Sequence, residues 1–183
     1  NLKNIIIAKD VEVFKEVFEK GGFDVANRQI DSLYALIKRY PSKVALVSNA
    51  QQLESAVKQN KLAAMIGVEG GHMIENDLSK LEALTKRGMI YLTLTWNNST
   101  PWASSAAQET KGEIGMPGLN DFGKSVVKKL NELGVLVDLS HVGEQTFFDA
   151  IKLSKKPVLV SHSCVYGINP VPRNLKDEQI KAI

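Results

Sequence analysis

Short apolar runs rich in β-branched residues recur along the chain with helical patterns between them, and this alternation restricts the fold more than any other feature. The runs are KVALVS at 43–48, AAMIGVE at 63–69, IYLTLT at 90–95, GVLVDLS at 134–140 and PVLVSH at 157–162. They are apolar on both faces, as strands are when helices cover a sheet on either side. Between them, Ile30, Leu33, Ile37 and Tyr40 share one helical face, as do Leu119, Phe122, Val126, Leu130 and Leu133, and Phe147, Ile151 and Ser154. Further helices are predicted over 11–18, ended by Gly21-Gly22, over 51–59 and over 77–86, and Gly134 stops the one that begins near Leu119. Strands separated by helices predict parallel pairing, so the fold class is α/β, with barrel and open sheet both compatible.

A chain of 183 residues, 44% apolar, is expected to form a single domain, residues 1–183, held by core burial. Its 23 basic and 20 acidic residues leave a net charge of +3, too small and too dispersed to indicate nucleic acid or a charged membrane surface. No stretch approaches the roughly 18 consecutive apolar residues of a membrane span. The single cysteine, Cys164, cannot form an internal disulfide and is expected to be a small buried residue; it leaves the compartment, envelope or cytoplasm, open. Asn1-Leu2-Lys3-Asn4 carries neither an initiator Met nor a signal-peptide pattern, so the natural start is expected upstream.

Gly118 to Ser125, GLNDFGKS, matches the phosphate-loop string GxxxxGK[ST], and VLVD at 135–138 imitates the strand that ends in a magnesium-binding Asp. That motif works only where a strand feeds the loop. Here the approach is Gly115-Met116-Pro117, and Leu119 and Phe122 are already in phase with Val126 and Leu130, with Asn120 or Asp121 near the helix cap. A nucleotide site is therefore rejected.

Three residues suited to a metal occupy one kind of place: Glu69 ends AAMIGVE, His141 follows GVLVDLS, and His162 ends PVLVSH. In a parallel α/β fold the carboxyl ends of the strands lie on one face, where groups distant in sequence converge. Two imidazoles and a carboxylate, with a position left for water, make a catalytic zinc set. Singly, such a His is more often a hydrogen-bonded structural residue; three together favour a site. His72, after Gly70-Gly71, reads as structural. The polar stretch 97–117 reads as a long loop, a length commonly tied to function, and Trp96 and Trp102 either line a pocket or pin it. Arg173 precedes a helix whose Asn174-to-Asp177 spacing suits capping; it either clamps a carboxylate or decorates the surface.

The strings Gly67 to His72 (GVEGGH), Tyr91 to Thr95 (YLTLT), Pro101 to Ala103 (PWA), Gly118 to Lys124, Asp138 to Val142 (DLSHV) and Ser161 to Ser163 (SHS) together resemble the membrane (renal) dipeptidase family, in order and spacing from about Ile30 to Ile183. The resemblance implies a (β/α)8 TIM barrel of the metallo-dependent hydrolase type, of which this chain is the central part. It implies two zinc ions and cleavage of dipeptides by a metal-activated hydroxide. Glu69 matches the carboxylate bridging both metals, His141 and His162 match imidazoles on the second, and Arg173 matches the arginine holding the substrate's terminal carboxylate. Trp96 stands where the family has a histidine that touches the reacting carbonyl, and Asn97 beside it is the candidate to replace that contact. The family's His-x-Asp pair for the first metal is absent from the sequence, and its later strands, with an acidic residue implicated in proton transfer, would follow Ile183. Relatives imply a homodimer. A non-catalytic barrel relative, serving as a binding or assembly module, is the competing expectation.

Overall fold

The computed structural model describes residues 21–113, 115 and 117–183, so the helix expected over 11–18 lies outside the described residues. Helix α1 (Gly22–Arg39) carries Asp24 in its first turn and Lys38 and Arg39 in its last, complementing the helix dipole at both ends. It leads into strand β1 (Val44–Leu46), helix α2 (Ala50–Lys58) and strand β2 (Leu62–Ala64), which pairs parallel with β1. Strand β3 (Ile66–Glu69) follows at once, then a 3-10 turn (Gly71–Ile74), helix α3 (Leu78–Lys86) and strand β4 (Met89–Thr93). The second half contains α4 (Ala106–Lys111), α5 (Asp121–Leu133), β5 (Leu136–Asp138), α6 (Glu144–Leu153), β6 (Val158–Leu159) and α7 (Asp177–Ala182). Strands β3 to β6 form a parallel sheet in sequence order. The α/β class with parallel pairing is as the alternation requires.

Side-chain caps fix where the helices begin. Asn49 accepts from the Gln52 amide, Asp77 from Ser79, Ser105 from Gln108 and Asn120 from Gly123. Gly134, at φ 70°, ends α5 in the left-handed conformation that glycine adopts without a Cβ clash. The core lies between sheet and helices: Leu92, Leu94 and Val137 meet Leu81 and Leu84 of α3, Val126, Val127 and Leu130 of α5 and Phe147 of α6.

The run AAMIGVE, expected as one strand over 63–69, is two strands that pair with different neighbours, β2 with β1 and β3 with β4. The break falls at Met65, whose side chain is exposed, and the ladder shifts register between Ile66 and Gly67. Gly67 permits this close pairing, because a Cβ there would strike the Tyr91 ring. The 97–117 stretch is less irregular than expected: it holds α4 and antiparallel bridges Thr100 to Ala103, Ala103 to Leu119 and Ser105 to Val142. Trp102 pins it, buried between Gly71 and Gly123, each with its Cα against the tryptophan.

The string that imitates a phosphate loop has its amides engaged elsewhere. Gly118 N–H donates to Ser104 Oγ at 2.9 Å, Leu119 N–H to Asp149 Oδ2 at 2.9 Å and Gly123 N–H to the Asn120 cap at 3.0 Å. Lys124 pairs with Asp121, and Ser125 donates to the Asp121 carbonyl within α5. The amides of Gly118, Leu119 and Gly123 are therefore not available to wrap a phosphate.

Two local expectations are corrected. Cys164 is exposed rather than buried: it lies in the irregular segment after β6, which no element among the described residues covers. Asn174 does not cap α7; it is buried, accepting from Cys164 N–H and donating to the Asn169 carbonyl, while Lys176 occupies the N-cap position.

Candidate metal centre

The segments that follow β3, β4, β5 and β6 supply one cluster at the carboxyl end of the sheet. Glu69 closes β3, while His141 and His162 each stand three residues beyond the last residue of β5 and β6. Glu69 Oε1 lies 2.9 Å from His141 Nε2 and 3.1 Å from His162 Nε2, and the two Nε2 atoms are 2.9 Å apart. The imidazoles meet edge to face, with centroids 4.9 Å apart. His141 is buried, whereas Glu69 and His162 each keep nearly half of their side chains open to solvent, so the cluster has a dry back and an accessible front.

His141 is held by its backbone as well as its ring. It has φ 67°, in the left-handed region that costs a side-chain-bearing residue energy and that concentrates at functional sites. The Ala106 amide donates to its carbonyl at 2.8 Å, and Gly143 N–H donates to the Ser104 carbonyl one turn further on. Asn97 Oδ1 faces His141 Nδ1 at 3.2 Å. A carbonyl oxygen only accepts, so in this contact the hydrogen is on Nδ1.

Three electron-pair donors this close repel one another unless positive charge lies among them. The guanidinium of Arg173 supplies some, with Nη2 3.0 Å from His141 Nε2. The hydrogen bond with His141, followed by the charges of His141, His162 and Arg173, outweighs burial and holds the Glu69 carboxyl below its ordinary range. A carboxylate and two imidazole Nε2 atoms, with ligand atoms all within 4.8 Å of one another, are a donor set suited to a divalent metal of borderline softness, so the residues present fit such an ion.

The structure thus brings together Glu69, His141, His162, Arg173 and Asn97, and sets the Trp96 ring 6.3 Å from that of His141. His72 stays outside the cluster: its ring folds over Gly70 and its Nδ1 is buried without a hydrogen-bond partner. Burial holds its pKa down, against the pull of the Glu69 charge.

Sequence reasoning overlooked the layer behind the cluster. Asp138, fully buried at the end of β5, accepts from Ser140, Ser161 and Thr93. Ser161 Oγ in turn lies 2.8 Å from His162 Nδ1. The signal was the dipeptide Ser-His at the end of two neighbouring strands, Ser140-His141 and Ser161-His162.

A family model for the membrane dipeptidases, peptidase family M19, matches residues 11–183. The chain is also similar to solved structures. One is an amidohydrolase from Pseudomonas aeruginosa: identity 26%, TM-score 0.81, covering 96% of this chain and 56% of that one. Another is a metallopeptidase from Rhodobacter sphaeroides liganded with a phosphinate mimic of the dipeptide L-Ala-D-Ala: identity 25%, TM-score 0.79, covering 88% and 46%. A third is dipeptidase AC, a metallopeptidase of family M19: identity 25%, TM-score 0.78, covering 87% and 48%. The chain spans about half the length of these relatives, and its parallel strands and helices form part of their TIM-barrel fold. Since the family's pattern runs through the strand ends that carry Glu69, His141 and His162 and on to the last residue, the chain belongs to the membrane dipeptidase family.

Proposed function

We propose that the chain forms part of a zinc-dependent dipeptidase site in which Glu69, His141 and His162 hold metal. The observation that carries this reading is the convergence of Glu69 Oε1, His141 Nε2 and His162 Nε2 within 3.1 Å, on a face half open to solvent. Nitrogen and oxygen donors in this number suit zinc with a position left for water or substrate. When bound, the metal supplies a Lewis acid for the scissile carbonyl and lowers the pKa of its water, so that a hydroxide is available near neutral pH.

The protein's own groups divide the remaining work. Arg173, beside the cluster and otherwise exposed, binds the terminal carboxylate of a dipeptide through its planar donors. Asn97 orients His141 and stands beside the scissile bond. Trp96 forms the apolar wall next to the His141 ring; its indole N–H can donate but does not titrate near neutral pH, so it contributes contact and not proton transfer.

The test is hydrolysis of L-Ala-D-Ala and L-Ala-L-Ala by the full-length protein, with zinc per chain measured on the same preparation. Turnover that disappears in a folded Glu69→Ala variant, together with bound zinc, is the expected result. A variant as active as wild type overturns the assignment. A folded protein that leaves every dipeptide intact favours the non-catalytic barrel module instead.

A further inference from the structure

The carboxylate of Asp138 is fully buried, and among the described residues its hydrogen-bond partners are neutral donors. Oδ1 receives Ser140 N–H at 3.2 Å, Ser140 O–H at 3.0 Å and Ser161 N–H at 3.0 Å, and Oδ2 receives Thr93 O–H and Ser161 O–H, each at 2.6 Å. Burial raises its carboxyl pKa, and the hydrogen bonds from Ser161, Thr93 and Ser140 more than reverse this, so the group is ionised.

An ionised carboxylate accepts and never donates, whereas a serine hydroxyl has one hydrogen to give. The hydrogen of Ser161 is committed to Asp138 Oδ2, and that of Ser140 to Oδ1. Ser161 Oγ therefore offers only lone pairs to His162 Nδ1, 2.8 Å away, and the ring must bring the hydrogen to that bond. Ser140 Oγ likewise accepts the backbone N–H of His162 at 3.1 Å. The direction of each bond is dictated from Asp138 outward.

We propose that Asp138 is a positioning residue that acts through Ser161 to fix His162 as the Nδ1–H tautomer, presenting the bare Nε2 to the cluster formed with Glu69 and His141. The same carboxylate steers the His162 backbone through Ser140, so ring and main chain are aligned by one buried charge. As a device for metal binding this rests on the dipeptidase reading; as a statement about the ring it does not. In metalloproteins, groups that hydrogen-bond the far nitrogen of a ligating imidazole and set its tautomer and orientation affect metal affinity strongly.

The discriminating change is Asp138→Asn. An amide in place of the carboxylate brings its own donor, frees the Ser161 hydrogen to point at His162 Nδ1, and so favours the Nε2–H tautomer that blocks the cluster. Ser161→Ala removes the relay while Thr93 and Ser140 still donate to Asp138, and Ser161→Thr restores the hydroxyl. Ring nitrogen shifts of His162 are read by long-range proton–nitrogen NMR on the zinc-free full-length protein at about pH 9, where imidazole is neutral. Zinc affinity is read separately by competition with a chromophoric chelator.

The expected result is Nδ1–H in wild type and Ser161→Thr, with Nε2–H gained in Asp138→Asn and mixed tautomers in Ser161→Ala. Zinc binding should weaken about 10- to 100-fold in the two disruptive variants and recover in Ser161→Thr. An Nε2–H ring in wild type, or an unchanged Nδ1–H ring in Ser161→Ala, overturns the proposal. If the tautomers behave as stated while wild type binds no zinc, the positioning of His162 stands and the dipeptidase reading falls.

Discussion

The amide of Ala106 donates to the carbonyl of His141 at 2.8 Å, tying the first residue of α4 to a buried imidazole whose backbone is left-handed. Proline at 106 isolates this bond. The first helical position tolerates proline, and Ser105 before it, at φ −90° and ψ 151°, already has the extended conformation that precedes proline. Ala106→Pro is therefore expected to keep α4 while leaving the His141 carbonyl without its donor. The loss should be about 1–3 kcal/mol in urea unfolding, with weaker zinc binding. Unfolding and zinc titrations that overlay those of wild type would show that the clamp is dispensable.

Gly123 lies inside α5, where alanine would normally favour the helix by about 1 kcal/mol. Here a Cβ would strike the Trp102 carbonyl, and backbone on both sides leaves no flexible group to yield. Gly123→Ala is expected to destabilise by about 1–3 kcal/mol, so the sign is opposite to that of helix propensity. A raised urea midpoint would mean that Trp102 is not seated as described.

Lys124→Ala and Ser125→Ala should each change stability by no more than about 0.5 kcal/mol, because the Lys124 pair with Asp121 is solvent-exposed and Ser125 bonds only within its own helix. ATP at millimolar concentration should leave the melting temperature of wild type unmoved. A nucleotide-dependent shift that vanishes in Lys124→Ala would restore the phosphate-loop reading.

Acid sensitivity follows from Asp138. Its folded carboxyl is held below the unfolded value of about 3.9, so the folded state binds fewer protons near that pH. The stabilisation is present in full above the unfolded value and is lost as pH falls through the folded one. In the presence of a metal chelator, unfolding free energy should drop on acidification below about pH 5, and Asp138→Asn should flatten that slope. Parallel profiles for the two proteins would place the titration elsewhere.

Much of this was legible because the relevant physics is local. Val126 and Leu130 announce α5 by their period, Asn120 caps it three residues before the amide it binds, and Gly134 ends it. The convergence of Glu69, His141 and His162 follows from parallel pairing, since strand ends share a face whatever their separation in sequence. What was not legible depends on partners chosen by the fold. Nothing near Met65 says that the chain there leaves one ladder for another. Asp138 bonds to Thr93 and Ser161 across 45 and 23 residues, and the left-handed turn of His141 depends on an amide from a different loop. Cys164, small and apolar enough for a core, is exposed because no element among the described residues lies over its segment.

The change of partner at Met65 divides the chain's cooperativity. Among the described residues, strands β1 and β2 share no ladder with the four-stranded sheet, and Val44, Val47 and Ala56 are buried outside the main cluster of core side chains. Leu53, Val57 and Leu62 of the same unit are largely exposed. A two-stranded ladder with exposed apolar residues opens at lower free energy than the four-stranded sheet beside it. In native-state hydrogen exchange the amides of Ala45 and Ala63 should therefore exchange well before those of Leu92 and Val137, and the two sets should respond differently to dilute denaturant. The protein has a soft shoulder beside a hard sheet, and Glu69, His141 and His162 are all mounted on the hard side.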